Sequence, residues 1–122
     1  MRLNIECVRD ILLFIEKSTD NDSLSVSSEK IISALTDYSN SDIYYHIRQI
    51  HKYKYVDNVF YADNEPLIIG GLTPDGRDFV DNIRDNKVWS YTKKALSSIS
   101  SVSLPILGSL AEKQVSKILG LG

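Results

Sequence analysis

The sequence predicts an α+β fold of the winged-helix type: three helices, a β-hairpin wing and a fourth helix, followed by a C-terminal helical extension. Three observations indicate this fold. Apolar residues recur at helical spacing through most of residues 4–54. Two short β-rich runs then flank the polar residues 62–66, which is typical of a hairpin. Thr73 and Pro74 begin a further helical pattern, because threonine caps a helix and proline fits its first turn.

The composition indicates one folded domain. The 122 residues are 43% apolar and 25% charged, and a chain of this length buries roughly two thirds of its unfolded surface without metals or disulfides. The single cysteine, Cys7, excludes an internal disulfide. The net charge of −2 removes overall electrostatic attraction to nucleic acids or acidic membranes. The distribution of charge along the chain, rather than the net charge, is therefore the electrostatic property that bears on function.

The N-terminal residues do not have the pattern of a secretory signal. Glu6, Arg9 and Asp10 interrupt the apolar residues that such a signal would keep uncharged. A run of roughly eighteen apolar residues, as a membrane-spanning helix requires, is also missing. We expect a cytoplasmic protein without a cofactor.

The first two helices follow from periodicity and capping. Residues 4–17 are apolar over about half of a helical wheel, which is more than a single packing contact needs. Residues 18–25 are rich in Asp, Asn and Ser and predict a loop. Ser27 is placed to cap a second helix that ends near Tyr38.

The third and later helices complete the predicted organisation. Ser41 and Asp42 offer caps for a third helix that runs to about Lys54. The buried face of the fourth helix is predicted to comprise Gly76, Phe79, Val80 and Ile83.

Beyond the fourth helix, composition divides the chain into three predicted parts. A further helical stretch completes a winged-helix domain over residues 1–96. Residues 97–103 contain five serines and predict a hinge. Residues 104–122 predict a C-terminal amphipathic helix.

Three motifs carry a family resemblance. They are RDILL at residues 9–13, YHI at residues 45–47 in the third helix, and a Leu-Thr-x-x-Gly-x-x-Phe segment at residues 72–79 after the wing. Through them the chain resembles an uncharacterised, winged-helix-like family of small bacterial and prophage proteins, known as a domain of unknown function. The resemblance covers about residues 1–96 and implies a fold, but it brings no chemistry and no catalytic residues.

The third helix carries the side chains that point to a function. With its isoleucines inward, its opposite side holds residues that contact phosphates and base edges in protein–DNA complexes. Residues 44–54 include Arg48, Lys52 and Lys54 and no acid. We predict that this helix enters the major groove of double-stranded DNA. The predicted contact residues are Tyr45, Arg48, Gln49 and Lys52.

The predicted wing favours a different partner. It contains Asp57, Asp63 and Glu65 without a lysine or arginine, and phosphates would repel an acidic hairpin. The leading hypothesis is a non-enzymatic, regulator-like DNA-binding module that forms a homodimer. The alternative is a phage or mobile-element module that binds a host or partner protein through the same fold.

Other clusters are explained by ordinary surface and core roles, so we predict neither an enzyme nor a metal site. His46 and His51 are five positions apart and do not share a helical face, as zinc ligands would. Cys7 lacks a basic neighbour that would stabilise a thiolate. A solvated face is predicted for the carboxylates Asp75, Asp78, Asp81 and Asp85.

The C-terminal helix has an apolar side with three possible placements. It could fold back on the first helix, pair with its copy in another subunit, or lie on a membrane surface. Lys113 and Lys117 are too few for strong membrane attraction. The predicted contact residues are Ile11 and Phe14 in the first helix and Leu107, Val115, Ile118 and Leu119 in the last.

Overall fold

The computed structural model describes residues 2–121 and confirms the mixed α+β class. Met1 and Gly122, the outermost residues of the predicted parts 1–96 and 104–122, lie outside the described residues. Within residues 2–121 there are six helices and a three-stranded antiparallel sheet. In chain order the elements are α1 (Ile5–Ser18), β1 (Ser25–Ser27), α2 (Ser28–Ala34), α3 (Asn40–Lys52), β2 (Val59–Ala62), β3 (Glu65–Gly70), α4 (Pro74–Ile83), α5 (Asn86–Leu96) and α6 (Leu104–Ile118).

Side-chain caps begin most of these helices. The hydroxyls of Ser27 and Thr73 accept hydrogen bonds from the first turns of α2 and α4, which confirms both predicted caps. The cap of α3 is Ser39 rather than the predicted Ser41. Ser39 and Asp42 form a capping box, in which each side chain accepts from the other's backbone N–H. This reciprocal pair satisfies two backbone donors, so the helix begins earlier than expected.

The sheet contains a strand that the sequence did not predict. β1 lies at the end of the segment predicted as a loop, and it pairs with β3 in the order β1-β3-β2. Its three residues contain a single apolar side chain, Val26, so no alternation marks it as a strand. Residues 25–27 form a strand because they pair with β3, which is distant in the sequence. α2 is correspondingly short and ends at Ala34 instead of near Tyr38.

The predicted hairpin is present and has a two-residue turn. Asp63 and Asn64 both have positive φ, at 52° and 66°, which suits the primed turns that connect twisted antiparallel strands. β2 and β3 begin and end closer to this turn than the sequence suggested, because Glu65 and Pro66 belong to β3.

Helix α1 lies at the centre of the core. It packs against α3, α4 and β1, which accounts for its wide apolar arc. Arg9 joins it to the later helices: its Nε donates to the Ile83 carbonyl at 2.8 Å, and its guanidinium lies 5.3 Å from the Trp89 ring centre. The arginine of the RDILL motif thereby satisfies a carbonyl at the end of α4.

Helix α6 packs mainly on α4 and α5, whereas packing on α1 was one of the three placements that the sequence left open. The apolar arc of α1 packs mainly against α3, α4 and β1, and Ile11 is fully buried. Phe14 is half-buried, with Lys17 Nζ 5.5 Å from its ring. Leu107 joins the core, whereas Leu119 is 65% exposed.

Candidate functional site

Helix α3 exposes one side between two other parts of the chain. Its inner side is fully buried through three isoleucines and is nearly so at His46. The β2–β3 hairpin contacts one flank of the exposed side through Arg48 and His51. The segment entering α6 approaches the other flank, where Tyr45 and Gln49 lie.

Arg48 joins α3 to the hairpin. Its Nη2 donates to Glu65 Oε2 at 2.9 Å and to the Asn64 carbonyl. Both side chains of the ion pair are partly exposed, at 39% and 45%, so the pair contributes at most about 1 kcal/mol to stability. Arg48, which the sequence predicts to contact DNA, therefore already has intramolecular partners. Its two hydrogen bonds hold the turn of the hairpin beside the helix.

His51 makes a second contact between α3 and the hairpin. Its Nδ1 lies 3.1 Å from the Tyr61 hydroxyl, and the two ring centres are 6.0 Å apart. The helix and the hairpin thus meet at two points, one turn apart along α3.

Tyr45 and Gln49 line a groove of about 310 Å³. Arg2 and residues 101–104 form much of the rest of its lining. The ring of Tyr45 meets the His46 ring edge-on, with centroids 4.9 Å apart. These two predicted contact residues face a groove of mixed polar and apolar lining beside the entry to α6.

Lys52 and Lys54 provide exposed positive charge at the end of α3. Lys52 Nζ lies 5.4 Å from the centre of the Tyr53 ring. Lys54 has a φ of 62°, in the left-handed region. No acidic residue occurs between positions 43 and 54, so this end of the helix carries a local cluster of positive side chains.

His46 is a structural residue, as the sequence predicted. It is 1% exposed, and its Nε2 accepts the Asn4 backbone N–H at 2.8 Å. The neutral ring therefore carries its proton on Nδ1, which donates to the Asp42 carbonyl at 2.6 Å. Burial lowers the pKa of His46 against the opposing effect of that carbonyl.

We expect His46 to make the protein less stable as the pH falls below about 6.5. In the unfolded chain His46 takes up a proton near that pH, whereas the folded state resists protonation. The stabilisation is therefore fully present above the unfolded pKa and is lost between that value and the lower folded pKa. Urea unfolding at about pH 7.5 and about pH 5.5 would measure the loss.

The matched variants for this measurement are His46→Gln and His51→Gln. Glutamine at position 46 keeps a hydrogen-bond acceptor but does not titrate, so the pH dependence of stability in this range should flatten. His51→Gln should retain the wild-type dependence. Parallel pH profiles for wild type and His46→Gln would show that His46 is not responsible.

The remaining titratable clusters are surface ion pairs or isolated groups. Arg84 holds Glu16 through two bonds of 2.7 Å and Asp81 at 2.9 Å. The bonds from Arg84 lower the pKa of Glu16. Burial raises the pKa of Cys7 to about 12, which makes its thiol unreactive. Within residues 2–121, no three His, Cys, Asp or Glu side chains converge as metal ligands would.

A second surface feature, the sheet groove, escaped the sequence analysis. It is a groove of about 440 Å³ on the outer face of the sheet, lined by Leu24, Phe60, Ile68 and the adjacent loops. Phe60 pairs with Ile68 across β2 and β3, so both side chains leave the sheet on the same face. The sequences of β2 (VFYA) and β3 (EPLIIG) do not alternate regularly between polar and apolar residues, so they did not indicate this face.

These features define a small α+β domain in which the acid-free part of α3, residues 43–52, is held against a β-hairpin. The chain belongs to the family described as hypothetical protein (DUF2513), whose model matches residues 2–103. This confirms the predicted resemblance to a domain of unknown function. The matched range contains α1 to α5 and ends just before α6.

The chain is also similar to an uncharacterized protein of Haemophilus influenzae. The two are 25% identical over 122 residues, covering 98% of this chain and 99% of the relative. The similarity therefore extends through α6.

None of the helices described within residues 2–121 has the length and apolar character needed to cross a membrane.

Proposed function

We propose that this protein is a non-enzymatic winged-helix DNA-binding module that presents α3 to the major groove of duplex DNA. The observation that carries the proposal is the element order α1, β1, α2, α3, β2, β3 with the sheet order β1-β3-β2. This order sets an exposed helix directly beside a hairpin, as in winged-helix proteins. The major groove is about 12 Å wide and admits such a helix.

The charge on α3 supports the proposal. Lys52 and Lys54 are exposed at the end of the helix, no acid lies at positions 43–54, and in the proposed complex they contact phosphates. Tyr45 and Gln49 lie on the flank toward α6. Arg48 reaches DNA with the N–H groups that the hairpin leaves available, since a guanidinium has five donors.

The acidic residues of the wing should repel the phosphates of DNA less strongly than the composition of the wing suggested. Glu65 is neutralised by Arg48 at 2.9 Å. Asp57 lies before β2, at the end of the hairpin away from its turn. Only Asp63 remains as an unpaired acid in the turn among the residues that the structure describes.

The test removes the two lysines at the end of α3. Lys52→Gln with Lys54→Asn should weaken binding to duplex DNA at least tenfold, about 1.4 kcal/mol, and reduce the salt dependence by about two counterions. Asparagine is chosen at position 54 because it tolerates a positive φ. Fluorescence anisotropy with mixed-sequence duplexes across a salt series measures both quantities.

The matched control is Lys87→Gln with Lys94→Gln on α5, which removes the same charge from a different surface. It should bind DNA nearly as wild type does. Absence of wild-type binding at low salt, or equal losses in both double variants, would contradict the proposal.

The alternative function is a protein-interaction module, and the exposed Leu24 and Phe60 of the sheet groove favour it. Exposed apolar patches mark protein interfaces in soluble proteins. Partner binding that survives nuclease treatment and high salt would support this alternative, because apolar interfaces depend little on salt.

A further inference from the structure

The apolar side of α6 continues beyond the surface that covers it. Leu104 and Leu107 are at most 1% exposed and Val115 is half-buried. Farther along, Leu119 and Leu121 are 65% and 75% exposed. The domain beneath α6 therefore ends before the helix does, and the last turn holds large apolar side chains in water.

This uncovered end, residues 113–121, has a defined shape and a positive charge. Gly120, with a φ of 75°, closes the helix, and the Leu121 N–H donates to the Ser116 carbonyl at 2.8 Å. Leu121 shares a shallow depression with Lys113, Lys117 and Glu112, the acid that directly precedes these residues. Residues 113–121 contain these two lysines and no acid. We call residues 113–121 the tail.

The sheet groove combines exposed apolar side chains with polar ones, such as Asn21 and Asn58, and it has no cover in one copy of the chain. Leu24 and Phe60 are 72% and 66% exposed. Its volume of about 440 Å³ is large enough for several side chains. Its lining, as far as the structure describes the chain, includes no residue of α6.

The charge of the sheet groove is opposite to that of the tail. Asp57 makes no side-chain hydrogen bond or ion pair within residues 2–121. Asp20 accepts two backbone N–H groups through Oδ1, which leaves its charge uncompensated by a cation. Arg77 also lines the groove, so its charged residues, Asp20, Asp57 and Arg77, leave it with a net charge of −1 (two carboxylates, one guanidinium).

We infer that the tail of one copy docks in the sheet groove of a second copy, and that the exchange is reciprocal. Both surfaces expose large apolar side chains, and their net charges are opposite in sign, so their contact removes apolar area from water and pairs lysines with carboxylates. The buried half of α6 holds the helix on α4 and α5 of its own chain. Since each copy supplies one tail and one groove, two copies close into a two-fold dimer. This dimer does not depend on the proposed DNA binding.

The first experiment measures the mass of the full chain by size-exclusion chromatography with light scattering over a concentration series. The wild type should have twice the 13.8-kDa chain mass. Leu119→Ser with Leu121→Ser, and separately Phe60→Ser, should each raise the dimer dissociation constant at least tenfold. Ile106→Ser is the matched control, because Ile106 is 56% exposed on the opposite side of α6. It should leave the dimer unchanged.

The second experiment exchanges the charges. Asp57→Lys alone and Lys113→Glu with Lys117→Glu alone should each weaken the dimer at least tenfold. The triple variant should recover affinity, because both surfaces then have inverted signs. A thermal melt of each variant checks that its fold is intact.

Three results would overturn the inference. One is a wild type that stays monomeric at every concentration. Another is a dimer that survives Phe60→Ser but not the tail substitutions, which would show that tails pair with each other. The third is a triple variant that binds no better than its parents.

Discussion

Replacing Phe79 by alanine is expected to lower the free energy of unfolding by about 3 to 5 kcal/mol. The sequence placed Phe79 on the inward face of the fourth helix, and the residue is 5% exposed. Its ring centre lies 4.7 Å from that of Tyr55. On the other side, a Cβ added to Gly108 would come within 3.1 Å of the ring. The ring therefore fills the contact between α4, the segment before β2 and α6, and its loss leaves a cavity among all three.

Urea unfolding followed by circular dichroism measures this loss. Ile106→Ala serves as the control, because Ile106 is a large apolar residue of α6 that is 56% exposed. Its effect should stay within about 1 kcal/mol, as for other surface substitutions. If the Phe79→Ala transition coincided with that of the wild type, the packing of α6 on α4 would be wrong.

Replacing Gly76 by alanine is expected to destabilise the protein by about 1 to 3 kcal/mol or more, although helix propensity alone favours alanine by about 1 kcal/mol. A Cβ at this position would lie 2.0 Å from the Tyr55 carbonyl oxygen. That carbonyl is fixed, because it accepts the Thr73 N–H at 3.1 Å. The adjacent Lys54 carbonyl accepts from Thr73 Oγ1 at 2.6 Å. The start of α4 can therefore accommodate the added methyl group only by moving.

Asp78→Ala is the matched control for this substitution. Asp78 is exposed in the same helix, so alanine there should leave the unfolding free energy unchanged within about 0.5 kcal/mol. The two variants can be compared by thermal and urea unfolding. Equal stability of Gly76→Ala and Asp78→Ala would mean that the close approach of α4 to Tyr55 is not required.

The local structure was largely predictable. The caps at Ser27 and Thr73 and the hairpin were predicted because each depends on residues a few positions apart. The error at α3 was also local: Ser39 and Ser41 both suit a cap, and the reciprocal bonds with Asp42 favour Ser39. β1 was not predicted, because these residues become a strand mainly through their pairing with β3, which the local sequence does not show.

The candidate site was predictable as a helix side but not in its contacts. Helical spacing identified Arg48 and Lys52 as outward residues. It could not show that Arg48 meets Glu65, seventeen positions later, because that contact requires the hairpin to fold against α3. The sheet groove likewise joins Leu24 to Phe60 across two strands and a loop.

The sequence by itself determined the α+β class, the caps at Ser27 and Thr73 and the acid-free run at residues 43–54, because periodicity, capping and charge are properties of neighbouring residues. The tertiary structure alone decided which surface each apolar stripe covers. α3, α4 and β1 occupy the arc of α1, so α6 packs on α4 and α5 and leaves Leu119 and Leu121 exposed. Packing partners compete for the same buried area, and only the assembled chain shows which of them meet.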